Sequence, residues 1–240
     1  MIERRPPLTL PPQGDPHAHT RRLEALYDSE LAYLDAELGR LLEPFEAADD
    51  VIVILISDHG EAFYEHGYWG HSVSLHEEEL RIPLLIRLPG AHEGGCEVET
   101  PVNILDVMPT VLELAGIESE QALQGRSLVD LLRGDGVLPE RALFAELSRH
   151  RNDVQAVRRG DWKLILDRRL QRELLYDLAS DPHETRNLAA MRPDVHRELR
   201  QLIERYRFEE FMAQGEAAGS EARAPSLETQ EQLRALGYAE

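Results

Sequence analysis

Apolar positions along this chain fall into two rhythms, and each predicts a different element. Over residues 21–47 they return every three or four positions, at Leu23, Leu26, Tyr27, Leu31, Leu34, Leu38, Leu41 and Leu42, which is the spacing of one helix face. After Asp49-Asp50 the rhythm stops, and Val51-Ile52-Val53-Ile54-Leu55-Ile56 runs without a polar interruption. A strand covered on both faces need not alternate, so 51–57 reads as a buried strand of a parallel sheet. A second such run, Ile82 to Leu88, is stopped by Pro89-Gly90. A helix over 104–115 ends at Gly116, and Ser127 caps a short helix over 128–133.

Beyond Gly134-Asp135-Gly136 the pattern changes to short runs at 142–147, 154–159, 162–167 and 173–177, which predict an antiparallel sheet. Pro193 opens a last helix, expected to reach Phe211. The predicted fold class is α/β: a mixed or parallel sheet flanked by helices, with a small C-terminal antiparallel sheet subdomain. Four regions are expected: an irregular Pro-rich segment 1–20, an α/β part 21–136, a small sheet plus helix 137–212, and a polar tail 213–240. No internal repeat is present in the sequence.

Composition narrows the partners. With 240 residues, 42% of them hydrophobic, the chain can bury one core and a smaller second one. A formal net charge of −19 argues against nucleic acid, whose phosphates it would repel. No stretch approaches the ~18 consecutive apolar residues of a membrane span, and the first twelve residues, though basic at Arg4 and Arg5, lack a signal peptide's apolar core. As written, the chain reads as cytoplasmic, with its compartment otherwise unknown. One cysteine, Cys96, excludes an intramolecular disulfide.

The chemistry concentrates where the first strand ends, in Ser57-Asp58-His59-Gly60-Glu61. Ligands of open α/β sheets sit beyond the carboxyl ends of strands. There Asp58 and His59 offer a metal one oxygen and one nitrogen from adjacent residues, with Gly60 allowing a sharp turn. The loop leading to the second strand adds His66, His71 and His76 and a Glu77-Glu78-Glu79 cluster.

The run from Ser57 through His66-Gly67, Gly70-His71 and Glu77-Glu78-Glu79-Leu80-Arg81-Ile82-Pro83-Leu84 resembles the sulfatase family within the alkaline-phosphatase superfamily. The resemblance continues through the helix around Tyr27–Leu42, through Asp106-Val107-Met108-Pro109-Thr110, through Trp162-Lys163-Leu164-Ile165, and through Asp181-Pro182 to Asn187-Leu188. Leu233-Arg234 to Gly237-Tyr238 is similar to a common family terminus. The resemblance implies a partial alkaline-phosphatase-like domain, and it makes Asp58 and His59 ligands of one divalent ion: calcium or manganese, with zinc as a further option.

His71 takes the place of the family's Lys or His that contacts the oxyanion or protonates the leaving group. Glu61 is expected to support the ligand loop, His66 to be structural, His76 to stand in for a family Tyr without catalytic part, and Arg81 to orient the Glu cluster. Lys163 is expected to expose its amine from a packed strand. His17 and His19 match the family's Asp-Pro-His-x-Pro motif only partly, lacking the second Pro, and no substrate role is expected of them.

The implied activity is metal-dependent hydrolysis of a small sulfated substrate. Hydrolysis of a phosphate or phosphonate ester, or phosphoryl-type transfer, is the nearby variant. The family's nucleophile motif, Cys/Ser-x-Pro-x-Arg, has no match: Cys96 lacks the Pro and Arg, and Ser180-Asp181-Pro182-His183-Glu184 ends in Glu. The chain therefore resembles the C-terminal half of a sulfatase and is expected to be inactive alone. A missing N-terminal half or a homo-oligomer would be its partner, and a truncated or degenerate non-catalytic fragment is the competing reading.

Overall fold

The computed structural model describes residues 15–46, 48–90, 95–134, 136–148 and 153–217, with side chains described as far as residue 207. The expectations for residues 1–14, for the tail from residue 218, and for the terminus around Leu233 lie outside these. The chain divides into two units, Met1–Leu199 and Arg200–Glu240.

The first helix, α1 (Pro16–Leu42), begins five residues before the periodicity predicts, so 16–20 is helix rather than irregular chain. The cause is local: the Asp15 carboxylate accepts the His17 N–H at 3.0 Å, and Pro16 occupies the first turn, which together make a helix N-terminus. His17 and His19 are thereby first-turn helix residues. None of α1 is buried. Two edge-on ring contacts tie it to the loop beyond the first strand: Tyr27 on Phe63, with centroids 5.2 Å apart, and His19 on Trp69 at 5.1 Å.

Strand β1 (Val53–Ile56) pairs with β4 (Leu84–Arg87), in register from Val53↔Arg87 to Ile56↔Leu84. The pairing is antiparallel, which corrects the expectation of a parallel partner. An unbroken apolar run predicts apolar surroundings on both strand faces, and it carries nothing about strand direction, which the connection sets. Burial is also less than expected: Leu55 and Leu85, opposite one another, are 39% and 56% exposed. Between these strands lie the two-residue strands β2 (Ala62–Phe63) and β3 (Trp69–Gly70), paired antiparallel, and the single turn α2 (Glu77–Leu80).

Helix α3 (Val107–Leu114) comes after a 3₁₀ turn at Ile104–Asp106 and stops at Gly116, whose φ of 68° suits glycine. In the short helix α4 (Val129–Arg133), the Val129 N–H reaches Ser127 Oγ at 3.2 Å. Then β5 (Ala142–Leu147), β6 (Val154–Arg159), β7 (Trp162–Asp167) and β8 (Arg172–Asp177) form one antiparallel sheet in sequence order. The final helix, α5 (Pro193–Ala217), runs past the expected Phe211.

The small sheet holds the main core. Leu75 from the loop before α2 is buried in one cluster with Val154, Ala156, Ile165, Tyr176 and Leu178, and Leu80 packs against it. Residues of alternate parity on the same strands, Val157, Leu164 and Leu175, are also fully buried, so neither sheet face alternates with water. Burying a leucine of this kind contributes about 1.5–3 kcal/mol. The loop carrying the candidate chemistry thus has its own anchor in the C-terminal sheet.

Candidate metal centre

Asp58 and His59 come directly after β1 and are held by backbone contacts. Ser57 Oγ donates to the His59 carbonyl at 2.6 Å, and the His59 N–H donates to Asp58 Oδ1 at 3.0 Å. The turn depends on Gly60: its N–H donates to the Glu79 carbonyl at 2.9 Å, and a Cβ there would stand 2.1 Å from the Glu78 carbonyl oxygen. No other residue fits so close to that backbone.

His59 Nδ1 lies 2.8 Å from the Gly60 carbonyl. A carbonyl only accepts, so Nδ1 bears the hydrogen and the Nε2 lone pair is free. That Nε2 lies 3.8 Å from Asp58 Oδ1. Divalent ions bind nitrogen and oxygen at about 2.0–2.6 Å, so two donors at this separation fit a single shared ion. Asp58 is 68% exposed at its side chain, as an inner oxygen donor open to a ligand would be.

His71 joins them from the turn after β3. Its ring stacks on His59 with centroids 4.2 Å apart and planes 28° from parallel, and its Nδ1 lies 2.8 Å from Glu61 Oε2. The carboxylate accepts, so Nδ1–H is the donor and Nε2 is the nitrogen left for a ligand or a proton. Ligating atoms of His59, Glu61 and His71 all lie within 4.8 Å of one another. The structure therefore brings together His59, Glu61 and His71, with Asp58 beside His59 at 3.8 Å but outside that group of three, and the expected support of the ligand loop by Glu61 is a direct bond to His71.

A second constellation lies at the base of the same loop. His66 and His76 stack with centroids 3.7 Å apart and planes only 9° from parallel. Glu78 Oε1 lies 2.7 Å from His66 Nδ1 and accepts the Tyr68 hydroxyl at 2.9 Å. Parallel rings point their in-plane lone pairs side by side rather than at one centre, so this trio does not suit a shared ion. Burial and the charge of His66 press His76 down to about 3. Burial is the largest single influence on the Glu78 carboxyl and pushes it up, but the bond to His66, the charge of His66, its own backbone N–H and the Tyr68 hydroxyl together bring it down to about 2. His66 is raised, chiefly by its hydrogen bond to Glu78.

Two expectations about the Glu cluster are corrected. Arg81 is exposed, and among the described residues its side chain makes no ion pair with the cluster. Lys163 does: its amine is buried, 1% exposed, with Nζ 2.7 Å from Glu77 Oε1 and 2.9 Å from Glu184 Oε1. Glu184 Oε2 also accepts the Glu77 N–H at 2.6 Å. Strand alternation would put Lys163 outside, but the buried Glu184 on one side and the partly buried Glu77 on the other make its burial tolerable. Glu79 completes the brace, accepting the N–H groups of Ser72 at 2.6 Å and Ser74 at 2.9 Å. Burial raises the Glu79 carboxyl despite those bonds. Sequence reasoning missed Glu184 and the His66–His76 stack. The only advance signal was the acidic end of Asp181-Pro182-His183-Glu184.

Comparison with known proteins finds two matching family models. Residues 64–209 match the one described as N-sulphoglucosamine sulphohydrolase, C-terminal, and residues 10–117 match the one described as Sulfatase. A choline-sulfatase of Rhizobium meliloti (strain 1021) is 35% identical over 181 residues, covering 71% of this chain and 34% of its own length. A solved complex of a protein with its substrate D-glucosamine-2-N,6-O-disulfate is 27% identical with a TM-score of 0.58, covering 71% of this chain and 37% of that one. The phosphonate monoester hydrolase of Agrobacterium radiobacter is 26% identical with a TM-score of 0.62, covering 81% of this chain and 42% of that one. The chain spans about a third of the length of the curated relatives it matches.

Proposed function

This chain belongs to the sulfatase family, and from that premise we propose that it forms the ion-holding and leaving-group side of a sulfuric ester hydrolase. The observation that supports this reading above others is the convergence at the end of β1: His59 Nε2 lies 3.8 Å from Asp58 Oδ1, and His71 is stacked on the same ring. Asp58 and His59 would hold one divalent ion, calcium or manganese by the oxygen donor, with the imidazole moving preference toward manganese or zinc. Such an ion, when bound, supplies positive charge against the oxyanion of the ester.

The rest falls to the chain's own groups. Glu61 fixes the His71 ring through Nδ1–H and leaves Nε2 as its second nitrogen. In its imidazolium form His71 gives the Nε2 proton to the ester oxygen as the S–O bond breaks, so the leaving group departs as a neutral alcohol. The attacking nucleophile comes from outside these 240 residues, since no Cys/Ser-x-Pro-x-Arg segment lies within them. The substrate class is a small sulfated molecule, in keeping with the sugar disulfate bound by one structural relative. Phosphonate or phosphate ester hydrolysis is the second reading, favoured by the Asp-His pair together with the likeness to a phosphonate monoester hydrolase.

Titration calorimetry with Mn²⁺ and Ca²⁺ tests the ion site. Asp58→Ala and His59→Ala are each expected to weaken Mn²⁺ binding by about tenfold or more, and His59→Asn to shift preference toward Ca²⁺. Unchanged binding in both alanine variants would overturn the ligand assignment. The chain alone is expected not to turn over an aryl sulfate. Robust turnover that Asp58→Ala abolishes would place the nucleophile inside the chain.

A further inference from the structure

The His66–His76 stack is unusual because the surroundings of its two rings demand different protonation. Both His66 nitrogens face oxygens that only accept: Glu78 Oε1 at 2.7 Å from Nδ1 and the Glu184 carbonyl at 3.2 Å from Nε2. Satisfying both requires a hydrogen on each nitrogen, hence an imidazolium. His76 instead meets two hydroxyls, Ser74 Oγ at Nδ1 and Tyr176 OH at 3.3 Å from Nε2. A hydroxyl donates or accepts, so a neutral ring is satisfied there.

We propose that the stacked His66–His76 pair is a one-proton latch: it fastens the loop 64–79 to the C-terminal sheet while His66 is charged and His76 neutral, and it loosens when His66 loses its proton. The groups around it fix this sense. His66 faces Glu78 from α2, which also accepts the Tyr68 hydroxyl, and the carbonyl and carboxylate of Glu184 from the turn after β8. His76 faces His66, Glu78, Ser74, Lys163 on β7, and Arg172 and Tyr176 on β8. A second proton would set two cations 3.7 Å apart beside Lys163 and Arg172. Removing the first leaves the half-buried Glu78 without its cation and turns one His66 lone pair against an oxygen. The upward displacement of His66 and downward displacement of His76 agree with this assignment.

The loop held by the latch also carries Trp69, which is buried, stacked on Tyr64 at 4.3 Å, and bonded through its indole N–H to Thr20 Oγ1 at 3.0 Å. Trp69 is a built-in reporter, and Trp162→Phe removes the only other indole. Neither metal nor turnover enters the readout, so the latch fails or stands separately from the hydrolase reading.

The test is a pH titration from 4.5 to 9 of the Trp162→Phe chain, following imidazole Hε1 signals by NMR and Trp69 emission in parallel. His66 is expected to titrate in one step with a midpoint above that of a free imidazole, ~6.5, His76 not to titrate, and Trp69 emission to shift red with the His66 midpoint. His66→Gln should abolish the emission step while far-UV circular dichroism is retained, and Glu78→Gln should lower the His66 midpoint. A His66 midpoint at or below ~6.5, two imidazoles titrating together, or an emission step that persists in His66→Gln would overturn the proposal. If His66→Gln does not fold, the titrations of the parent chain decide alone.

Discussion

Glu61 and His71 meet at 2.8 Å through Oε2 and Nδ1, and this bond determines which nitrogen of His71 remains for a ligand. The carboxylate accepts a hydrogen bond from Nδ1–H, so Nε2 is the nitrogen that remains. Neutral imidazole in water has no such fixed choice.

Replacing Glu61 with Ala should therefore release the tautomer before it affects anything else. Long-range ¹H–¹⁵N spectra of His71 are expected to change from one Nδ1–H form to a mixture, with the fold intact. In an assembled, active enzyme the same substitution should lower the rate by about 10- to 100-fold, as loss of a group that orients a functional imidazole does. A single unchanged tautomer in Glu61→Ala would show that Glu61 does not set the ring.

Gly60→Ala should cost more than any exposed substitution nearby. The new Cβ would stand 2.1 Å from the Glu78 carbonyl oxygen, so the strand end must move away from α2. Overpacking of this kind typically costs about 1–3 kcal/mol. Urea denaturation would read the loss, and Mn²⁺ titration should show weaker binding because Asp58 and His59 move with the turn.

Lys163→Ala leaves Glu184 buried without its cation, while Glu77 keeps only the more distant Arg158 at 3.7 Å. Breaking a buried ion pair from one side typically costs about 3–5 kcal/mol. Chemical denaturation of Lys163→Ala should fall in that range, and Lys163→Met with Glu184→Leu should recover a large part of it. Stability equal to the parent in Lys163→Ala would mean that the amine does not brace the loop.

Global stability should peak near pH 6.5, the ordinary value of a histidine. His76, held down to about 3, leaves the unfolded chain binding the extra proton, so stability is complete above 6.5 and lost as pH falls toward 3. Glu78, at about 2 against an ordinary 4.5, adds a loss between those two values. His66 is raised, so its contribution is complete below 6.5 and lost as pH climbs through its folded value. Glu79 and Glu184 are raised by burial, act in the opposite sense, and soften the acid limb. Denaturation midpoints from acid to mildly alkaline pH check the peak; a curve rising steadily into the alkaline range would contradict it.

The sequence was most informative where local chemistry decides the outcome. β5, β6 and β7 fall on the expected residues, because Gly160 and the polar stretches between the runs punctuate them. That Asp58 and His59 stand side by side after β1 follows from their adjacency in the chain. The start of α1 was missed although Asp15-Pro16 is itself a helix-opening signal; the surrounding prolines read as irregular chain. The direction of β1 was not legible, since apolarity is indifferent to strand polarity. Lys163 and the His66–His76 stack depend on groups far apart in the chain, and no spacing rule reaches that far.

Gly60 and Glu79 share one backbone hydrogen bond, and Glu79 belongs to the turn that Lys163 secures from β7 by way of Glu77. Substitutions at buried positions of that distant strand are thus expected to tune ion affinity without touching a ligand. A library confined to β7 and β8 would be a sensible place to look for variants with altered reactivity.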